Sequence, residues 1–259
     1  MNPFFFGTRD RRIFGVYEPA AFGTAGKRAA VICYPWGAEY LHAHRTMRQL
    51  ALKLSLAGFH TLRFDYFGTG DSAGDMVDAD LKGWESDVEM AIEEIKEMVG
   101  ATEVTLVGLR LGATVAARVA SRLGKEVEAL VLWDPIISGD EYLERLDVTD
   151  RSVPVVPEPE RAQAAEAVEI RGFPLTGNMI EDLRSVGLSR LISEPVTRTL
   201  MLVTERSPLH SALSPLASGP FSGSLEIEYL GAVRPWIEDS ANSGMVPFGV
   251  IQRIVNWLS

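Results

Sequence analysis

Residues 104–120, VTLVGLRLGATVAARVA, place an arginine where a chain usually concentrates its chemistry. A short apolar strand runs into the turn Gly108-Leu109-Arg110-Leu111-Gly112 and then into a helix, and the central side chain of such a sharp strand-to-helix turn stands exposed above the sheet. A serine there would be a nucleophile. A guanidinium offers no lone pair for attack and stays protonated at any working pH. Two roles remain open for Arg110. It can anchor a substrate carboxylate or phosphate through two parallel hydrogen bonds, or it can plug the corner, its charge paired with a nearby acid, Asp134 or Glu205.

The segment PWGAEYLHAH (35–44) holds the other candidates for proton chemistry. Glu39 is the first candidate for a general base, because burial beside Trp36 would raise its pKa toward neutrality. The alternative is an ion pair with Arg45 or Arg110. Tyr40 lies beside it. His42 and His44 open the following helix, where histidine caps or packs more often than it catalyses; they stand as second candidates because no other histidine lies near the expected mouth. Trp36, Tyr66, Phe67, Trp133 and Trp236 either line an aromatic pocket at the sheet edge or belong to the core. Cys33 follows Val31 and Ile32 in an apolar strand and reads as inert packing.

The elements that must position these residues alternate. RAAVICY (28–34), HTLRFD (60–65), EVTLVG (103–108) and VEALVLWDP (127–135) read as strands. Between them, Met47, Leu50, Ala51, Leu54 and Ala57 recur at helical spacing, as do Leu81, Trp84, Val88, Ile92, Ile95 and Val99. Ala113 to Leu123 forms the helix after the turn. This succession predicts an α/β protein with a mostly parallel central sheet and helices on both faces. From Ser138 to about Pro195 the rhythm stops, and VPVVPEPE is proline-rich, so 138–195 is expected to be a cap inserted over the carboxyl edge of a core made of 1–137 and 196–259. RTLMLVT (198–204), SLEIEYL (224–230) and VIQRIVNWL resume and close the core.

Composition narrows the function classes. The 259 residues are 46% hydrophobic, enough for a sizeable core in one or two domains. The formal charge of -10 argues against a nucleic-acid or anionic-membrane surface. Most of the acid, as in ESDVEMAIEEIKEM, reads as solvated helix face. A single cysteine excludes an internal disulfide, and no Cys/His spacing suggests zinc. FFF at 4–6 is too short for a signal-peptide core and no apolar run approaches a membrane span. The expectation is a cytoplasmic protein with no cofactor, no metal, no nucleic-acid partner and no membrane partner. The glycines of FGTGDSAG lack the following helix of a dinucleotide fingerprint.

Together these segments resemble the α/β-hydrolase superfamily over nearly the whole chain. FDYFGTGDSAG (64–74) resembles its D-x-x-G-x-G-x-S loop, whose Asp65 and Ser72 ordinarily shape the loop itself. PWGAEY occupies the place of its oxyanion loop, and GLRLG that of its nucleophile elbow. More narrowly, YPWGAEY, HRTMRQLA, RFDYFGTGDS and GLRLGA resemble a serine-aminopeptidase-like, exosortase-associated subgroup, whose members often lie beside natural-product or polysaccharide pathways. The resemblance implies an oxyanion hole formed by the backbone N–H groups of Trp36 and Leu111, and an acid at Asp134 or Glu205. It places the histidine near GAVRPW (231–236), where this chain has Val233 and Arg234.

Two of three triad positions are thus unfilled, and ordinary acyl-enzyme hydrolysis is not expected. The oxyanion donors and the helix N-terminus could still polarise a carbonyl. The first expectation is therefore a non-hydrolytic enzyme, an isomerase, epimerase or cyclase acting on a carbonyl-containing metabolite, peptide or acyl chain in a biosynthetic pathway. A bottromycin-type peptide epimerase is a precedent at the level of the fold. In this reading Arg110, Tyr40, Tyr66, Trp133, Arg234 and Trp236 contact the substrate. The alternatives are a pseudo-hydrolase that binds a ligand or partner, and a hydrolase using Ser72, Ser207, Ser211 or a water held by Glu39. A homodimer would be ordinary for the fold.

Overall fold

The computed structural model describes residues 1–21, 28–146, 153–154, 167–187, 198–204, 224–237 and 245–259. Eight strands form the central sheet: β1 (Asn2–Gly7), β2 (Arg12–Glu18), β3 (Arg28–Cys33), β4 (His60–Phe64), β5 (Glu103–Leu109), β6 (Val127–Trp133), β10 (Arg198–Val203) and β11 (Leu225–Tyr229). Their spatial order is β1-β2-β4-β3-β5-β6-β10-β11. All pairs from β4 to β11 are parallel, while β2 runs antiparallel to both β1 and β4. This is the α/β-hydrolase fold.

The central strands are nearly unbroken apolar runs because both of their faces are covered. Every residue of β5 after Glu103 is buried, as are five of six in β3. Helices α1 (Ala38–Leu56), α2 (Leu81–Val99), α3 (Leu111–Leu123) and α6 (Phe248–Leu258) supply the covers. The Leu81, Trp84, Val88, Ile92 and Ile95 stripe of α2 is buried as its spacing predicts. Asp80 caps that helix by accepting from the Gly83 N–H, and Gly100 ends it in the left-handed conformation.

Two differences from the sequence reading have physical causes. The sheet starts earlier than Arg28, with an antiparallel hairpin, because RIFGVYE turns Ile13 and Gly15 inward and their neighbours outward. The acids of α2 are also not all solvated. Asp87 is fully buried and accepts two hydrogen bonds from Arg11 (2.6 and 3.0 Å) and one from the Phe67 N–H (2.9 Å). Glu85 is buried against Arg118 and Arg122. Each of these two buried carboxylates is matched to guanidinium donors, the condition under which burial of charge is tolerated.

Between β6 and β10 lie α4 (Gly139–Arg145), α5 (Gly177–Arg184) and a separate antiparallel sheet of β7 (Val153–Pro154), β8 (Ala167–Ile170) and β9 (Phe173–Thr176). None of these strands joins the main sheet. Among the described residues no helix is long and apolar enough to cross a membrane, and no group of His, Cys, Asp and Glu is placed to hold a metal ion.

Candidate functional site

The site begins with the β5-to-α3 corner. Arg110 has φ 54° and ψ -122°, a conformation that costs a side-chain-bearing residue energy and persists only where its surroundings enforce it. They do so through close approach. A Cβ on Gly112 would lie 2.2 Å from the Tyr34 carbonyl oxygen, and one on Gly108 would lie 2.4 Å from the Ala113 Cα. Helix α3 therefore starts hard against the end of β3, and the chain can only turn through Arg110. The Arg110 N–H donates to the Trp133 carbonyl (3.0 Å), fixing the corner to β6.

The Arg110 side chain is held on four sides. Its Nε donates to Glu39 Oε1 at 3.0 Å, and Nη1 donates to the backbone carbonyl of Asp134 at 3.3 Å. The guanidinium carbon lies 5.6 Å from the Tyr142 ring centroid and 5.3 Å from that of Trp236, within cation–π range of both. Tyr142 also donates its hydroxyl to Glu39 Oε2 at 3.2 Å. Burial works against the charge on Arg110, but Glu39, Tyr142 and Asp134 outweigh it and leave the guanidinium pKa raised. The arginine is permanently charged and already engaged.

Asp134 follows β6 at φ 43°. Both its carboxylate oxygens accept from Thr204, one from the backbone N–H and one from the hydroxyl, each at 2.9 Å. Burial pushes its pKa up to about 6, against the opposing pull of those hydrogen bonds and of Arg110 and Arg234. Thr114 ties the same loop to α3, its hydroxyl accepting from the Ile136 N–H at 3.1 Å.

These groups face a cavity of about 240 Å³ lined by Trp36, Glu39, Arg110 and Asp134 from the core, by Ile136 to Ser138, Tyr142 and Arg145 from the α4 region, by Ile170 and Arg171 from the β8–β9 hairpin, and by Arg234, Trp236 and Ile237 after β11. No histidine is among the described residues that line it. Among the described residues the backbone N–H groups of Trp36 and Leu111 take no partner, in keeping with their place in a loop and at a helix start.

The other sequence candidates lie elsewhere. Tyr40 donates to Asp65 at 2.9 Å and does not line the cavity. Tyr66 is buried with its ring stacked 4.8 Å from Trp84, and Trp133 is fully buried, edge-on to Trp236 at 6.5 Å; both are core. His42 is half-buried on α1 outside the cavity, and His44 stacks on Tyr34 at 5.9 Å. Burial, with Arg63 beside it, lowers the His44 pKa. Ser72 is occupied by its own loop, donating to the Asp65 carbonyl (2.6 Å) and accepting from the Phe14 N–H (2.8 Å). Glu205, Ser207 and Ser211 lie outside the described residues.

Sequence reasoning missed Tyr142, Arg145, Ile170, Arg171 and Thr204. Only one of these carried a local signal: Arg171-Gly172 sits between two short apolar runs, AVEI and FPLT, as the tip of a two-residue hairpin.

The sheet order and the elbow define an α/β-hydrolase. Within that class the chain belongs to the family described as serine aminopeptidase, S33, whose family model matches residues 27–159. Two curated relatives match a segment of it. The lysophosphatidylserine lipase ABHD12 of Danio rerio is 34% identical over 105 residues, 37% of this chain and 27% of that protein. Protein ABHD12B of Homo sapiens is 37% identical over 108 residues, 40% of this chain and 29% of that protein. The matched segment thus spans less than a third of either relative.

Solved structures align over the whole length. Est1E from Butyrivibrio proteoclasticus with ferulic acid bound has a TM-score of 0.70 at 14% identity, covering 98% of this chain and 97% of that one. The Pyrococcus furiosus esterase PF2001 gives 0.66 at 14% identity, covering 99% and 89%. At such identity the likeness establishes the fold alone.

Proposed function

We propose that this protein does not run the acyl-enzyme reaction of its family and instead uses the cavity to bind a small carbonyl-containing metabolite, peptide or acyl group. The supporting observation is the state of the elbow residue. Arg110 cannot attack a carbonyl, and its guanidinium is bonded to Glu39 and to the Asp134 carbonyl rather than left waiting for a base. The same ion pair removes Glu39 from contention as a free general base. A carbonyl oxygen would sit at the unpartnered N–H groups of Trp36 and Leu111, with the positive end of α3 beside it. The biosynthetic setting and the exosortase-associated subgroup belong to this proposal, resting on YPWGAEY, HRTMRQLA, RFDYFGTGDS and GLRLGA.

A second reading, proton transfer by an isomerase, epimerase or cyclase, is favoured by Asp134. Asp134 is among the lining residues, and burial brings its carboxyl pKa to about 6, where an acid can both take and return a proton. The test is turnover of short and medium acyl p-nitrophenyl esters by the wild type, Arg110→Ala and Arg110→Ser at high protein concentration. No variant is expected to exceed buffer, the serine included, because no histidine among the described residues stands by to activate it. Wild-type turnover that survives a contaminant control would overturn the proposal. Solvent deuterium entering a carbonyl ligand, lost in Asp134→Asn, would select the second reading over simple binding.

A further inference from the structure

The charged groups around the cavity are not all paired. Arg110 is matched to Glu39, and Arg145 to Glu141 at 2.6 Å one helical turn away. Asp134 feels the charge of Arg234 as well as that of Arg110, and Arg171 is a further cation in the lining. Of the four arginines in the lining, Arg110, Arg145 and Arg234 each have an interaction partner, and Arg171 is the one with no hydrogen bond or ion pair among the described residues.

Arg171 stands out for its backbone. It has φ 51° and its neighbour Gly172 has φ 86°, with Ile170 paired to Phe173 across them. That is a two-residue turn of type I′, which strongly favours Asn-Gly because both central residues need positive φ. A long side chain at the first position costs stability relative to asparagine. Here it places a guanidinium at the rim, exposed and, among the described residues, with no hydrogen bond or ion pair of its own.

Apolar side chains make up much of the remaining lining: Trp36, Ile136, Ile137, Ile170, Trp236 and Ile237. The volume of about 240 Å³ falls below the roughly 300–1,000 Å³ of pockets that take drug-sized ligands. We propose that the ligand is a small organic carboxylate whose acid group is gripped at the mouth by Arg171, with Arg234 also in the lining, and whose apolar body fills the cavity. A monocarboxylate matches the one partnerless guanidinium, Arg171, whereas a phosphate monoester would bring close to two charges. The proposal rests on the reading of the cavity as a ligand site that does not hydrolyse what it holds.

The experiment is calorimetric titration and thermal shift with benzoate, cinnamate and hexanoate, each beside its neutral amide, on wild type, Arg171→Asn and Arg234→Gln. Arg171→Asn restores the preferred turn residue, so the unliganded protein should melt no lower than wild type and a lost response cannot be laid to unfolding. At least one carboxylate is expected to bind the wild type roughly tenfold or more tightly than its amide, a difference of about 1.4 kcal/mol, and both variants should remove most of that preference. Rising salt should weaken the carboxylate and spare the amide.

Equal binding of acid and amide, or a preference untouched in Arg171→Asn, overturns the carboxylate grip while leaving a binding cavity in place. Tighter binding of phenyl phosphate than of benzoate overturns the choice of anion. No binding of any probe at millimolar concentration overturns the inference, and ester turnover measured in parallel is what would decide the fate of the underlying non-hydrolytic reading.

Discussion

Arg110 and Glu39 are each only 13% exposed, and each is the other's main partner. Removing one member of such a pair leaves a buried charge without compensation, which typically costs about 3–5 kcal/mol, whereas removing both together costs far less. Arg110→Ala should therefore lower the denaturant midpoint sharply, and Arg110→Met/Glu39→Gln should recover most of the loss. Full stability of Arg110→Ala would mean that the pair contributes nothing and that the arginine is held for a ligand alone. The sequence shows that this arginine needs a partner but not which one. By sequence, Asp134 and Glu205 are the acids that follow expected strand ends. Glu39, 71 residues away on α1, reaches the guanidinium only because β3 and β5 are neighbours in the sheet. Asp134 contributes its carbonyl and turns its carboxylate to Thr204 instead.

At the scale of elements, the geometry of the corner comes from two glycines and not from the residue between them. With 2.2 Å between a methyl added at Gly112 and the Tyr34 carbonyl oxygen, no rotamer change can relieve the clash, because the obstacle is backbone. Gly112→Ala should push α3 off β3 and cost several kcal/mol, about the range of severe core overpacking. Circular dichroism melts would read this directly; a change within experimental error would show that α3 can slide. This corner is legible in the sequence, since GLRLG declares the turn by its spacing. The parallel strands are legible for the same kind of reason, being apolar runs separated by helical stripes. The β1–β2 hairpin is harder to see, because Phe4 to Phe6 and the charged TRDRR turn look like a terminus, although RIFGVYE carries period-two alternation. The walls contributed by α4 and the β8–β9 hairpin are illegible for a different reason. Their side chains face the cavity from elements whose own pattern says nothing about where they pack.

Across the whole molecule, the carboxylates that folding buries make stability depend on pH. Asp134 binds its proton at about 6 when folded, while an unfolded aspartate does so near pH 3.9. Between those values the folded state holds more protons than the unfolded state, so this group's contribution to stability is full below about pH 4, falls as pH rises toward 6 and is flat above. The cost at neutral pH amounts to as much as about 3 kcal/mol. The net charge of -10 adds general repulsion in the same direction. Comparing wild type with Asp134→Asn cancels that background and the other acids. Asparagine can still accept from the Thr204 N–H and donate to its hydroxyl, so the variant should fold. Its stability relative to wild type is expected to rise between about pH 4 and pH 6 and to level off by about pH 7. A difference independent of pH would mean that water reaches the Asp134 carboxylate freely, and the cavity would then lack the dry wall that either ligand binding or proton transfer requires.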